Sequence, residues 1–293
     1  MWATVSRRCR RPPRAPAEVA TAARGAGRPR ARAASGRELT TPALVLGSVA
    51  YGEADRIVTL FSRDLGKVSA LGRAASKSRT RFGASLAPFV VGEAALEERH
   101  GSELYVLLRF EAREDHTGLG GDVLRLAHAS YGTELVHRLT AQRQAEPTIY
   151  DLLVELYRTA VASAPSAWVL RAFELRLLEA LGFAAALTRC VVCGVTDGAA
   201  LDEAGATVVS ERGGLACARC AASLRAGNVL CAQARRALLA VAAAPLASAP
   251  SLAGVVDAGA TTRAREAMHA LIAEHLTAPL RSLEFIRQLR GQA

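Results

Sequence analysis

The reading of this chain turns on residues 56–83: Arg56-Ile-Val-Thr-Leu-Phe-Ser62, the break Arg63-Asp-Leu-Gly66, then Lys67-Val-Ser-Ala-Leu71 and Gly72-Arg-Ala-Ala-Ser-Lys-Ser-Arg-Thr-Arg-Phe-Gly83. Two short runs with β-branched residues flank a turn signal, which predicts paired strands. Working outward, similar runs occur at Ala43–Val49, Phe89–Leu96 and Leu104–Phe110, with Gly52, Gly66, Gly83 and Gly101 in the breaks. Five strands at about 10–15 residue spacing predict a small antiparallel barrel or sandwich. The oligonucleotide-binding (OB) barrel is the five-stranded option.

Charge is segregated along this region. From Arg56 to Arg81 there are seven bases (Arg56, Arg63, Lys67, Arg73, Lys77, Arg79, Arg81) and one acid, Asp64, whereas Glu93 to Asp115 holds seven acids and three bases. Arg73, Lys77, Arg79 and Arg81 stand among small and hydroxyl residues in a predicted loop. Such a segment can follow a phosphate backbone, with Ser76, Ser78 and Thr80 as further donors. Phe82 could stack on a base. The plainer readings are a solvated basic face and a core phenylalanine, and with aromatics at only 5% of the chain, stacking has few candidates.

Composition sets the outer bounds. The net charge is +10 over 293 residues, but residues 1–37 contain ten arginines and one acid, Glu18, and so carry +9; the remaining 256 residues carry only +1. The case for a polyanion partner therefore rests on local patches. The first 37 residues, rich in Arg, Ala and Pro, are expected to be disordered. They fit translated upstream sequence, a polyanion-binding arm or a transit peptide, and lack the apolar core of a secretory signal. The rest is ordinary globular composition, 51% hydrophobic and 22% charged. Its apolar stretches stop short of the ~18–20 residues that span a membrane.

After the strands the period changes. Val123–Leu139, Ile149–Val161 and Trp168–Leu181 carry apolar residues at helical spacing. Pro147 and Pro165 mark starts, and Gly182 marks an end. In the third helix Val169, Phe173, Leu177 and Leu181 form one stripe, with Arg171, Glu174, Arg176 and Glu179 off it. Gly118–Asp122 reads as a linker, and residues 241–262 are uninformative.

The sharpest motif is Cys190-Val-Val-Cys193 with Cys217-Ala-Arg-Cys220, two CxxC arms separated by 23 residues. This spacing points to a tetrahedral Cys₄ zinc site, each arm folding as a knuckle that presents two thiolates. Ala206–Ser210 and Gly213-Gly214 between the arms read as the strand and turn of a zinc ribbon. Two disulfides would need an oxidising compartment, an iron–sulfur cluster lacks its usual run, and four thiolates leave a zinc no open catalytic position. The expected Zn²⁺ is structural, one per chain, supplying on the order of 10 kcal/mol of folding energy. Cys9 and Cys231 are expected to be inert. There is no P-loop, nucleophile elbow or H-E-x-x-H, and nothing supports an enzyme.

Several segments together resemble the bacterial DNA repair protein RecO family. They are Ala50-Tyr-Gly-Glu-Ala-Asp-Arg-Ile-Val-Thr-Leu-Phe61, Gly66-Lys-Val-Ser-Ala-Leu-Gly-Arg73, Ser78-Arg-Thr-Arg-Phe-Gly-Ala84, Arg171-Ala-Phe-Glu-Leu-Arg-Leu-Leu178, Cys190-Val-Val-Cys-Gly194, Gly213-Gly-Leu-Ala-Cys217 and His275-Leu-Thr-Ala-Pro-Leu-Arg-Ser282. The resemblance spans roughly 42–290 and omits the arginine-rich start. It implies an α+β multidomain chain: a tail over 1–40, an OB barrel over 41–117, a helical domain over 118–189 with an embedded Cys₄ zinc ribbon over 190–225, and C-terminal helices over 226–293. It further implies a non-enzymatic recombination mediator, cytoplasmic and nucleoid-associated, with no membrane role. Such proteins bind single- and double-stranded DNA, anneal complementary strands, and act with RecR to load RecA onto strands coated by single-stranded DNA-binding protein (SSB), whose C-terminal tail is a further partner. By match to the family's basic barrel region, Arg56, Lys67, Arg73, Lys77, Arg79 and Arg81 are the DNA-contact candidates. Ala74, Ala75 and Ser76 interrupt a loop that is often richer in cations. The alternative is an RNA-binding or transcription-associated zinc-ribbon adaptor, since OB barrels and ribbons also occur there.

Overall fold

The structure, a computed structural model, describes residues 36–78, 81–82, 86–224 and 227–291. The expectations for residues 1–35, including disorder, the polyanion arm and Cys9, lie outside the described residues.

Strands β1 (Arg37–Tyr51), β2 (Asp55–Ser62), β3 (Gly66–Gly72), β4 (Val91–Glu98) and β5 (Tyr105–Glu114) close into a barrel in the order β1-β2-β3-β5-β4. All neighbours are antiparallel except β3 and β5. One long strand does the closing: Arg37–Leu44 pairs with β4 and Ala43–Tyr51 with β2, around a register slip between Val45 and Gly47. The strand therefore starts at Arg37, inside the expected tail, because Leu39 packs on the barrel core. Inside, Ala43, Val45, Val58, Leu60 and Leu96 are fully buried. One part of the β3–β4 connection joins this core through Ala75, Phe82 and Leu86.

Helix α1 (Val123–Leu139) has the bounds its periodicity predicts, and α2 (Pro147–Ala162) and α3 (Ala167–Ala180) lie within two residues of theirs. Asp122 caps α1 by accepting the N–H groups of Leu124 and Arg125, and Ser166 caps α3 through Trp168 N–H. The expected linker before α1 is a 3₁₀ turn, Thr117–Gly121, that buries Leu119.

Next come β6 (Ala186–Cys190), α4 (Gly198–Asp202), β7 (Ala206–Val209), β8 (Gly214–Ala216), α5 (Ala218–Ala221) and β9 (Val229–Leu230), whose strands form a sheet in the order β6-β8-β7-β9. Gly213 makes the β7–β8 turn in the left-handed region, φ 64°. Helices α6 (Ala232–Ala243), α7 (Ala258–Ala273) and α8 (Arg281–Gly291) complete the chain, with a 3₁₀ stretch over Leu246–Leu252.

The core of the helical part is α3, which packs against α1, α2, α6, α7 and the 3₁₀ stretch. A helix surrounded this way keeps little solvent face: of its residues only Glu179 is exposed. Trp168, Phe173 and Leu177 are buried as expected, but Arg171 and Glu174, off the apolar stripe, are buried as well. They can be, because they satisfy each other: Arg171 Nε donates to Glu174 Oε2 at 2.6 Å, and the Tyr131 hydroxyl donates to Glu174 Oε1 at 2.6 Å.

Residues 36–293 form one compact unit, and the barrel and helical part share a built joint. Gly66 sits at φ +69°, and a Cβ there would lie 1.8 Å from the Gln144 carbonyl oxygen in the α1–α2 loop. Arg143 N–H donates to Lys67 O at 2.9 Å. Arg63 forks onto Asp151 at 3.0 and 3.1 Å, and Arg158 pairs with Glu114. No described helix is long and apolar enough to cross a membrane.

Candidate nucleic-acid interface and metal centre

The six cations expected at the barrel separate by environment. Arg73, Lys77 and Arg81 are exposed. They stand on a segment held by its backbone: Ala74 N–H donates to Asp55 Oδ1 at 2.7 Å, Ser76 N–H to Ala54 O at 3.0 Å, and Phe110 N–H to Arg81 O at 3.0 Å. Ala74 takes a left-handed φ of 51° and Ala75 is buried in the barrel core, so the uncharged residues between the cations are the segment's anchors. Phe82 is 1% exposed, a core residue unable to offer a face to a base. The Arg81 guanidinium lies over its ring, 5.1 Å from the centroid, and donates to the Arg73 carbonyl at 2.8 Å. Arg79 lies outside the described residues.

Arg56 is half-buried and donates to Ser48 Oγ at 3.0 Å, with Ser48 in turn donating to the Leu86 carbonyl. Lys67 departs from the expectation altogether. Its side chain is buried, and Nζ donates to the carbonyl oxygens of Thr140, at 2.7 Å, and His137, at 2.5 Å. These carbonyls lie at the C-terminal end of α1, where backbone acceptors lack helical partners and the dipole favours a cation. Burial, and then the charge of Arg138, lower its pKa. Lys67 is thus a helix cap at the joint and is withdrawn from the phosphate-facing set. Its sequence position carried no sign of this, because the acceptors come from a segment some 70 residues away.

Four sulfurs come together in the second half. The Sγ atoms of Cys190, Cys193, Cys217 and Cys220 all lie within 4.8 Å of one another, with Cys193 and Cys217 at 3.9 Å. Tetrahedral ligation at about 2.3 Å places sulfurs about 3.8 Å apart, so the donor set fits one metal ion. The first knuckle leads out of β6 and turns at Gly194, φ +77°; the second is the start of α5. Burial resists ionisation of the Cys190 thiol, but the N–H groups of Cys193, Cys217 and Val192 aimed at its sulfur bring its pKa down to about 6. Cys220 is pushed up to about 12, first by its hydrogen bond with Cys193 and then by burial. The exposed Arg219 guanidinium is held above its ordinary pKa, first by hydrogen bonding to Cys193 and also by the neighbouring sulfur charges. It would offset part of the negative charge that four thiolates leave around a divalent ion held there. Arg235 fixes this module to α6, donating to Asp202 Oδ1 at 2.7 Å and the Leu187 carbonyl at 3.1 Å.

These features define a class: an α+β protein in which an OB-type barrel with a cationic rim is locked to a helical body holding four clustered cysteines that could take a metal ion. Residues 35–115 match the family description "Recombination protein O N terminal", and residues 120–284 match "Recombination protein O C terminal". The chain is 37% identical over 248 residues to a protein named DNA repair protein RecO from Anaeromyxobacter dehalogenans (strain 2CP-C), covering 84% of this chain and 94% of that one. It is 33% identical over 252 residues to a protein of the same name from Syntrophotalea carbinolica, covering 85% and 94%. The chain belongs to the RecO family of DNA repair proteins.

Proposed function

We propose that this protein is a DNA-binding recombination mediator. In this reading it binds single- and double-stranded DNA, anneals complementary strands, and with RecR helps RecA load onto SSB-coated DNA. The observation that carries the reading is the anchored cationic segment, Arg73, Lys77 and Arg81, standing exposed on an OB-type barrel in a chain of this family. Annealing needs no catalytic group. It needs two polyanions held close while their repulsion is screened, and exposed cations on a fixed backbone do that. The helical body is then left for the protein partners, RecR and the SSB tail, and the four cysteines hold a structural Zn²⁺. The protein works at the cytoplasmic nucleoid and is not an enzyme.

The test is a salt titration of binding to a single-stranded oligonucleotide. Replacing Arg73, Lys77, Arg79 and Arg81 together by Ala is expected to flatten the log–log salt slope by up to about 0.7 per lost contact. It is also expected to slow annealing of SSB-coated complementary oligonucleotides. An unchanged slope rejects this segment as the phosphate site, and preference for RNA over DNA in direct competition favours the adaptor reading instead.

A further inference from the structure

The barrel exposes an apolar strip beside its cations. Register pairs Val49 with Ile57, Tyr51 with Asp55 and Ile57 with Leu71, and residues paired this way share a sheet face. Val58, next to Ile57, is fully buried inside the barrel, so Ile57 and its partners look outward. Ile57 and Leu71 are half-buried, while Val49 is 62% and Tyr51 56% exposed. An aromatic residue so exposed, at the end of an apolar strip, leaves a large ring face open to solvent.

Tyr51 also lies at the end of the barrel that carries the cations. It stands opposite Asp55, which accepts the Ala74 N–H, and Ser76 binds Ala54 in the same β1–β2 turn. Arg73 and Lys77 therefore flank the hairpin from which Tyr51 projects. A chain with cations for phosphates on one side and an open ring on the other matches an unpaired nucleotide, which presents both a phosphate and a free π-face. In a duplex that face is already stacked on its neighbours.

Resting on the DNA-binding reading above, we infer that Tyr51 is the base-stacking platform for single-stranded DNA. Val49, Ile57 and Leu71 floor the adjoining base, and Arg73, Lys77 and Arg81 hold the phosphates. Such a platform adds affinity on unpaired strands and none on a duplex, whose bases are already stacked.

The test uses the full chain and three DNAs of equal length: an oligo(dT), an oligonucleotide of abasic sites, and a duplex. Tyr51→Ala is expected to weaken oligo(dT) binding by about 5- to 150-fold, the range of one lost base–aromatic stack. It should leave the abasic strand, the duplex and the salt slope within twofold, and Tyr51→Phe should bind oligo(dT) as the parent does. Equal oligo(dT) binding by Tyr51→Ala, or an equal loss on the abasic strand, overturns the inference while DNA binding itself stands. A parent chain that binds none of the three overturns both.

Discussion

Glu174 has no exposed surface, and its two oxygens are engaged by Arg171 and Tyr131, themselves 3% and 1% exposed. Buried charges persist only when each has a partner, and removing one leaves the other uncompensated. Glu174→Gln is therefore expected to cost about 3–5 kcal/mol in a denaturant titration, more than replacing the whole pair by apolar residues of similar volume. At this scale the sequence was uneven. The four metal-site cysteines were legible because each pair is contiguous and a knuckle is a local structure. Lys67, Phe82 and the Arg171–Glu174 pair were not. A charged or aromatic side chain reads alike on paper whether it faces water or core, and its partners come from distant segments. The exposure of Tyr51 is likewise not legible, since it follows from register, which a strand-length run does not specify.

Secondary elements were read more faithfully than side chains. The helical period located α1 to the residue, and all five barrel strands were found, because alternation and periodicity are local consequences of burial. The failure was β1, whose 15 residues serve two partners in succession. Pro42 and Gly47 interrupt its composition, and only closure of the barrel makes it continuous. The attachment of the four-cysteine module to α6 is another element-level feature that no local pattern announces. There Asp202 has a lowered pKa, first through its hydrogen bond from Arg235 and then from Arg236. A carboxyl depressed on folding stabilises fully above its unfolded pKa, near 3.8, and loses that contribution as pH falls through the folded value. Asp202→Asn should thus destabilise by about 1.5–3 kcal/mol at neutral pH, as for a hydrogen bond to a charged group. The gap between variant and parent should close as a pH series of thermal melts passes below about 4.

Over the whole molecule, the cations of the basic stretch Arg56–Arg81 fall into three environments. Arg63 and Lys67 fasten the barrel to the helical body, Arg56 closes onto Ser48, and Arg73, Lys77 and Arg81 are left facing solvent. A metal ion held by the four clustered cysteines would be a second fastening. A thiolate site formed only on folding contributes its binding energy to stability, on the order of 10 kcal/mol for small zinc modules. Metal analysis is expected to find one zinc per folded chain. Chelation or Cys190→Ser should release it and lower the melting temperature, and freshly reduced, folded protein with no zinc would reject the assignment. The fold also has a practical chemical consequence. Of the 37 Lys and Arg residues only two are lysines, and one of these, Lys67, is sealed against the end of α1. Lys77 is therefore the single lysine amine open to acylation in the native protein, so a dye ester at a lysine reports from the exposed cationic segment, while any labelling of Lys67 reports that the joint has opened.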